Sequence, residues 1–204
     1  MNVGKLFNLN PFFLAIFLLL CSQVEALPKQ VVIIRHAEKN LATGQLLPKG
    51  QARALALAAY LTQLDPSSTN PPLFNFGNPS SLFAAKPMKE GDHLTTRCMH
   101  TLIPTAAKLN FAINFPYGPG GETQLAKLIL SDACYDGKYV VICWHSTRIV
   151  KLIKAFGYLP PQGILPYPNR FDLVWMMTFP APTPAVKLKP ILQELLLNDP
   201  TTFP

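Results

Sequence analysis

The chain has 204 residues, 49% of them hydrophobic and 14% charged, which supports a packed core and excludes wholesale disorder. Its 18 Lys and Arg outnumber 11 Asp and Glu, a balance that favours anionic ligands. There is no dense Lys/Arg block and no alternation of basic with aromatic residues, so nucleic acid is not an expected partner.

The first 26 residues read as a secretory signal peptide. Lys5 gives a positive start, Pro11 to Leu20 is an unbroken apolar run, and Val24 and Ala26 occupy the −3 and −1 positions of a small-residue cleavage site. The run is shorter than the ~20 residues of a membrane-spanning helix, so no stable membrane anchor is expected after cleavage. Leu20 precedes Cys21 where a lipobox wants Gly, Ala or Ser, which argues against a lipoprotein. Cleavage would leave residues 27–204 as one exported domain, periplasmic or secreted. Export would permit disulfides. The mature cysteines would be Cys98, Cys134 and Cys143, an odd number. Cys143 sits in an apolar run and reads as a buried thiol; a Cys98–Cys134 bridge stays open. No CxxC and no zinc-ligand spacing is present, so no metal or organic cofactor is expected.

Gln30 to Ile34 is short, β-branched and continuous, as in a strand buried on both faces of a parallel sheet. Gln51 to Leu64 is rich in Ala and Leu, with Ala54, Leu57, Ala58, Leu61 and Leu64 on one helical face. Asp65 to Pro79 reads as loop, Leu82 to Ala85 as a second strand, and Lys86 to Thr96 as a polar loop. A helix is expected over about Arg97 to Leu109, with Pro104 a kink or a late start. Phe111 to Phe115 reads as a strand and Glu122 to Leu130 as a helix. Tyr139 to Trp144 is a clear apolar strand, and Ile149 to Phe156 a helix stopped by Gly157. After a Pro-rich loop, Pro160 to Pro168, comes a strand over Phe171 to Met177, then a short helix over about Pro190 to Leu197. Strands alternating with helices predict an α/β domain, a three-layer αβα sandwich with a mainly parallel central sheet.

In such sheets ligands bind beyond the carboxyl ends of the strands. His36 follows the first strand and His145 follows Tyr139–Trp144; Arg35 adjoins the former, and Arg97 opens a helix after the second strand. Two imidazoles and two guanidiniums at one edge suit phosphoryl transfer through a phosphohistidine. A neutral imidazole nitrogen is a competent nucleophile, and arginine forks match the charge spread over the transferred oxygens.

At these residues the chain resembles the histidine phosphatase superfamily, which has the phosphoglycerate-mutase-like fold. Arg35-His36-Ala37-Glu38-Lys39 is similar to its opening Arg-His motif, in the Ala-Glu-Lys form of one branch. Leu46, Gly50, Arg53 and Ala54 match that branch's entry into the first helix, and Thr95 to Thr101 is similar to Ser-x-Arg-x-x-x-Thr. Val141 to His145 resembles the strand leading to the second histidine, and Phe171 to Trp175 a late strand. The resemblance spans most of residues 30–180. It implies a phosphatase in which His36 takes the phosphoryl group, Arg35 and Arg97 hold its oxygens, and an acidic residue protonates the leaving group. Glu122 is the candidate for that last role; a carboxylate that merely favours a helix N-terminus is the alternative. The implied substrate is a phosphorylated small molecule or a phosphopeptide.

One departure stands out. Where the branch reads Trp-x-His-x-x-Ile, this chain has Trp144-His145-Ser146-Thr147-Arg148-Ile149, which puts Ser146 in the histidine's place. The wider superfamily's His-x-x-x-Ile spacing fits His145 and Ile149. An unbroken strand would turn His145 away from the site, whereas a turn after Trp144 would bring it in. His145 is preferred as the phosphate-facing group, because a serine hydroxyl cannot supply the charge of an imidazolium. Arg148 is a further positive charge nearby. If His145 faces away and Ser146 points into the pocket instead, the chain is a phosphate-binding pseudoenzyme with weakened catalysis.

Overall fold

The computed structural model describes residues 27–62, 77–159, 169–180, 186–196 and 199. The expected signal peptide, most of the Asp65–Pro79 loop and the Pro160–Pro168 loop lie outside the described residues. The elements are β1 (Gln30–Arg35), α1 (Pro48–Thr62), β2 (Ser81–Ala84), β3 (Met88–Glu90), β4 (His93–Thr95), α2 (Arg97–Leu109), β5 (Ile113–Asn114), α3 (Glu122–Ser131), β6 (Tyr139–Trp144), α4 (Ser146–Ala155), β7 (Leu173–Thr178) and β8 (Lys187–Leu192). A six-stranded sheet runs β5-β2-β6-β1-β7-β8. β5, β2, β6 and β1 pair in parallel, while β7 and β8 join as antiparallel strands. α1 packs on α2, and α3 on α4. This is the three-layer, mainly parallel α/β architecture expected from the alternation of elements.

β1 and β6 form the centre. Every residue of both strands is buried, as expected of continuous Val/Ile runs covered on both faces. Each fully buried Val or Ile contributes about 1.5–3 kcal/mol of hydrophobic stabilisation, so the two strands anchor the core. They pair from Gln30↔Tyr139 to Arg35↔Trp144. The next residues of the two strands, His36 and His145, therefore leave the sheet at the same level.

Three expectations change. The segment read as a polar loop before Arg97 is a hairpin, β3 against β4, closed by a two-residue turn with Gly91 at φ 62; positive φ is what such a turn requires. The C-terminal helix expected over Pro190–Leu197 is instead β8, paired along the whole of β7, with Pro190 opposite Trp175. β8 is an edge strand, where the missing N–H of a proline is tolerated. Cys98 and Cys143 are both buried while Cys134 is exposed, and all three are free. Cys98 lies against Cys143 and His145, which excludes the Cys98–Cys134 bridge. Cys143 is buried as expected. Pro104 falls inside α2, which starts at Arg97. No helix among the described residues is long and apolar enough to cross a membrane.

The start of α1 presses on the segment after β1. A Cβ on Gly50 would lie 2.2 Å from the Glu38 carbonyl oxygen, a backbone atom that cannot swing away. Gly50→Ala should therefore destabilise the fold. The clash, about 3 kcal/mol at the top of the usual overpacking range, outweighs the about 1 kcal/mol by which Ala favours a helix over Gly. Chemical denaturation should show a lower midpoint; an equal or higher one would mean that α1 does not sit this tightly.

Candidate active site

Arg35 is the last residue of β1, and its guanidinium is largely buried. Nη1 donates to Asn169 Oδ1 and to the Arg170 carbonyl, each at 3.2 Å, and Cζ stacks 3.9 Å from the Phe171 ring centroid. Arg170 is held in turn by an ion pair with buried Asp172. These contacts fix the fork at the mouth of the sheet edge.

His36 is 2% exposed. Its Nδ1 lies 2.8 Å from the Ala37 carbonyl oxygen, which can only accept, so Nδ1 carries the proton and Nε2 presents a lone pair. Burial, opposed by the Ala37 hydrogen bond and aided by Arg97, Arg35 and His145, brings the imidazole pKa down to about 3. The ring is thus uncharged at neutral pH, the state a nitrogen nucleophile needs.

The turn that follows is anchored twice. Ala37 N donates to Thr101 Oγ1 at 2.9 Å, and that hydroxyl donates to the Arg97 carbonyl at 2.8 Å, tying the His36 turn to the start of α2. Glu38 accepts from Arg53 Nε and Nη2 at 2.7–3.1 Å. Arg53 is itself buried and also donates to Asp199 at 2.7 and 2.8 Å and to Gln193 at 3.3 Å. The Gly50 and Arg53 positions of the sequence pattern thus act on one target. Glycine lets α1 approach the Glu38 backbone, and arginine grips its carboxylate.

Arg97, 5% exposed, opens α2. Its Nη2 lies 3.0 Å from His145 Nδ1, and its Nη1 donates to Glu90 Oε2 at 2.6 Å. A guanidinium has no acceptor, so Nδ1 of His145 accepts and the ring N–H is at Nε2. His145 therefore offers a hydrogen-bond donor rather than the full charge expected of an imidazolium. Its backbone is extended (φ −75°, ψ 129°) and it is the N-cap of α4. The chain turns from strand to helix directly after Trp144, and the His145 ring centroid lies 6.0 Å from that of His36. Ser146 and Thr147 start α4, which has no side-chain cap. Their N–H groups are among the first-turn donors without intrahelical partners, a favourable setting for an anion.

A cleft of about 330 Å³ joins these groups, lined by Arg35, His36, Lys39, Met88, Glu90, Arg97, Pro119, His145, Ser146, Thr147 and Arg148. Arg35, His36, Arg97 and His145 are brought together as expected, and both Ser146 and Arg148 reach the same cleft. Glu122 does not. It is buried behind the wall, accepting from Gly120 N (3.1 Å), Trp144 Nε1 (3.2 Å) and Arg148 Nε and Nη2 (2.9 and 2.6 Å). Burial alone would raise its pKa, but these bonds, Arg148's foremost, prevail and hold it at about 2. A carboxylate so held does not release a proton near neutrality. Glu122 orients Arg148 instead of protonating a leaving group.

Two charged cleft residues have no role in the sequence-based site, Glu90 and Lys39, which lie 3.8 Å apart. Lys39 carries a signal in its place beside the Arg-His pair. Glu90 sits in a hairpin that has no apolar alternation to reveal it, so nothing short of the fold links it to the site.

The fold is shared with solved structures of low sequence identity. One is a mycobacterial glucosyl-3-phosphoglycerate phosphatase in complex with inorganic phosphate, at TM-score 0.53 and 12% identity over 80% of this chain and 96% of that one. The same phosphatase with VO3 matches at TM-score 0.54 and 13% identity, over 79% and 97%. A third, mycobacterial hydrolase 2, matches at TM-score 0.53 and 12% identity, over 85% and 93%. No protein-family model matches the sequence, and no curated protein does.

The buried, uncharged state of His36 has a consequence for stability. Between pH 6.5 and about 3 the unfolded chain binds a proton on this ring and the folded chain does not. Stability contributed by the neutral ring is therefore full above pH 6.5 and is lost as pH falls through that window. His36→Asn should flatten this part of the pH–stability curve, measured by denaturation at a series of pH values. An unchanged slope would contradict a buried, neutral His36.

Proposed function

We propose that the chain is a phosphomonoesterase acting through a phosphohistidine at His36. The observation that carries this reading is the pairing of an uncharged, buried His36 with His145, Arg35 and Arg97 around one cleft. Nε2 of His36 attacks phosphorus, the ester P–O bond breaks, and water then hydrolyses the P–N bond. Arg35 and Arg97 hold the equatorial oxygens, on which charge is spread in the transition state, and His145 Nε2–H and the first turn of α4 add donors. The fold shared with a glucosyl-3-phosphoglycerate phosphatase supports a phosphorylated small molecule as substrate; a phosphopeptide is the other class. A binding-only role is the alternative; the place of His145 beside Arg97 in the cleft favours turnover.

Rapid alkaline quench during turnover of a labelled aryl phosphate should trap label on His36, since a phosphoramidate survives base. Label on a serine, or on no residue, would refute the intermediate. His145→Ala should lower turnover about 10²- to 10³-fold, the scale of losing one preorganised donor, whereas Ser146→Ala should have a much smaller effect. Comparable losses in both variants would mean that Ser146 shares the role.

We further propose that residues 1–26 direct export and are removed after Ala26, because their layout is that of a signal peptide. Intact-mass measurement of the exported protein should place the mature N-terminus at Leu27. A mass that retains residues 1–26 would refute cleavage.

A further inference from the structure

We propose that Glu90 is the proton donor to the leaving group, a role the sequence assigns to Glu122. The proposal rests on the phosphohistidine reading above. Among the described residues that line the cleft, Glu90 is the sole carboxylate. Its Oε2 sits 2.6 Å from Arg97 Nη1, while Nη2 of the same guanidinium holds His145. The carboxylate thus lies one guanidinium away from an imidazole of the phosphate cradle. Its side chain is 48% exposed, at the solvent-open part of the cleft that it lines.

The hairpin makes this placement definite. Gly91 turns β3 into β4 at positive φ, and Thr95 Oγ1 donates to the Met88 carbonyl at 3.1 Å across it. The loop after β1 closes on the hairpin so tightly that a Cβ on Gly44 would lie 2.7 Å from the His93 ring. Glu90 is therefore carried on a short, braced ribbon rather than on a free loop.

The groups facing Glu90 are Arg97 from the start of α2, Lys39 from the segment after β1 and His145 from the cap of α4. In the free chain the hydrogen bond from Arg97 leads in holding the carboxyl below its ordinary range. A phosphoryl dianion that takes over Arg97 removes that bond and sets negative charge beside the carboxylate. Both changes raise its proton affinity, so the acid forms as substrate binds. As His36 Nε2 bonds to phosphorus, the P–O ester pair goes to oxygen, which takes the Glu90 proton and leaves as a neutral alcohol. In the second half, water attacks phosphorus and gives a proton to the Glu90 carboxylate. The P–N pair returns to Nε2, phosphate departs, and the acid is restored.

The test compares Glu90→Gln with the unaltered full-length chain on two substrates, an alkyl phosphate and 2,4-dinitrophenyl phosphate, through kcat/KM, which reports the first half-reaction. The alkyl leaving group needs a proton and the dinitrophenolate does not. Glu90→Gln should lower kcat/KM about 10²-fold or more for the alkyl phosphate and less than about threefold for the dinitrophenyl ester, the contrast expected of a lost general acid. Glu90→Asp should restore part of the alkyl-phosphate rate. Equal losses on both substrates would make Glu90 a positioning residue. Gains on both would make it a competitor for Arg97, and no change would remove it from the reaction. Each of these overturns the proposal while leaving the phosphatase reading intact. Failure of the unaltered chain on both substrates, or retained activity in His36→Ala, would overturn the two together.

Discussion

The site depends on the parallel pairing of β1 with β6. Because Arg35 pairs with Trp144, the residues that follow leave the sheet side by side. Two imidazoles far apart in the chain thereby come within 6.0 Å of each other. That register is enforced by burial. A slip of one residue would turn every side chain of a strand to the other face, and with both faces of β1 and β6 sealed the core has no slack for it. The Ala37–Thr101–Arg97 relay and the Glu38–Arg53–Asp199 network then fix what the sheet has aligned.

The edge so assembled is electrostatically lopsided. Arg35, Lys39, Arg97 and Arg148 all line one cleft, against Glu90 as its facing carboxylate among the described residues. Guanidiniums taken partly out of water bind an anion more strongly than they would in solvent. Burial, aided by the same positive field, keeps His36 unprotonated. The cationic groups that suit an anion thus also disfavour a proton on His36. Glu122 belongs to this design at one remove, since its ionised carboxylate aims Arg148.

Much of this is legible in the sequence where burial writes it there. The Val/Ile runs of β1 and β6, the Ala/Leu face of α1 and the Arg-His pair at a strand end all follow from continuous or periodic hydrophobicity. The Ser146 substitution looks like a lost histidine when residues are counted along a strand, but the chain turns at His145 and the count no longer decides orientation. Glu122 has the acid's sequence position and helix-opening place. Its disqualification comes from Arg148 and Trp144, contacts that no local pattern encodes. The β3–β4 hairpin is short and polar, so its strands carry no period-two hydrophobic signal. Pro190 at the head of a leucine-rich run reads as a helix start, yet it borders a sheet edge that is free to accept it. In each miss a tertiary neighbour overrides local preference.

The most direct test of the assembled site is a crystal structure of the full chain with vanadate, which adopts the trigonal geometry of a phosphoryl group in flight. Vanadium should be bonded to Nε2 of His36, with its equatorial oxygens on Arg35, Arg97 and His145 Nε2, and with Glu90 displaced from Arg97 toward the apical oxygen opposite His36. Vanadate bound away from His36, or coordinated with the His145 ring turned out of the cleft, would contradict the central claim that the β1–β6 register builds a phosphoryl-transfer site.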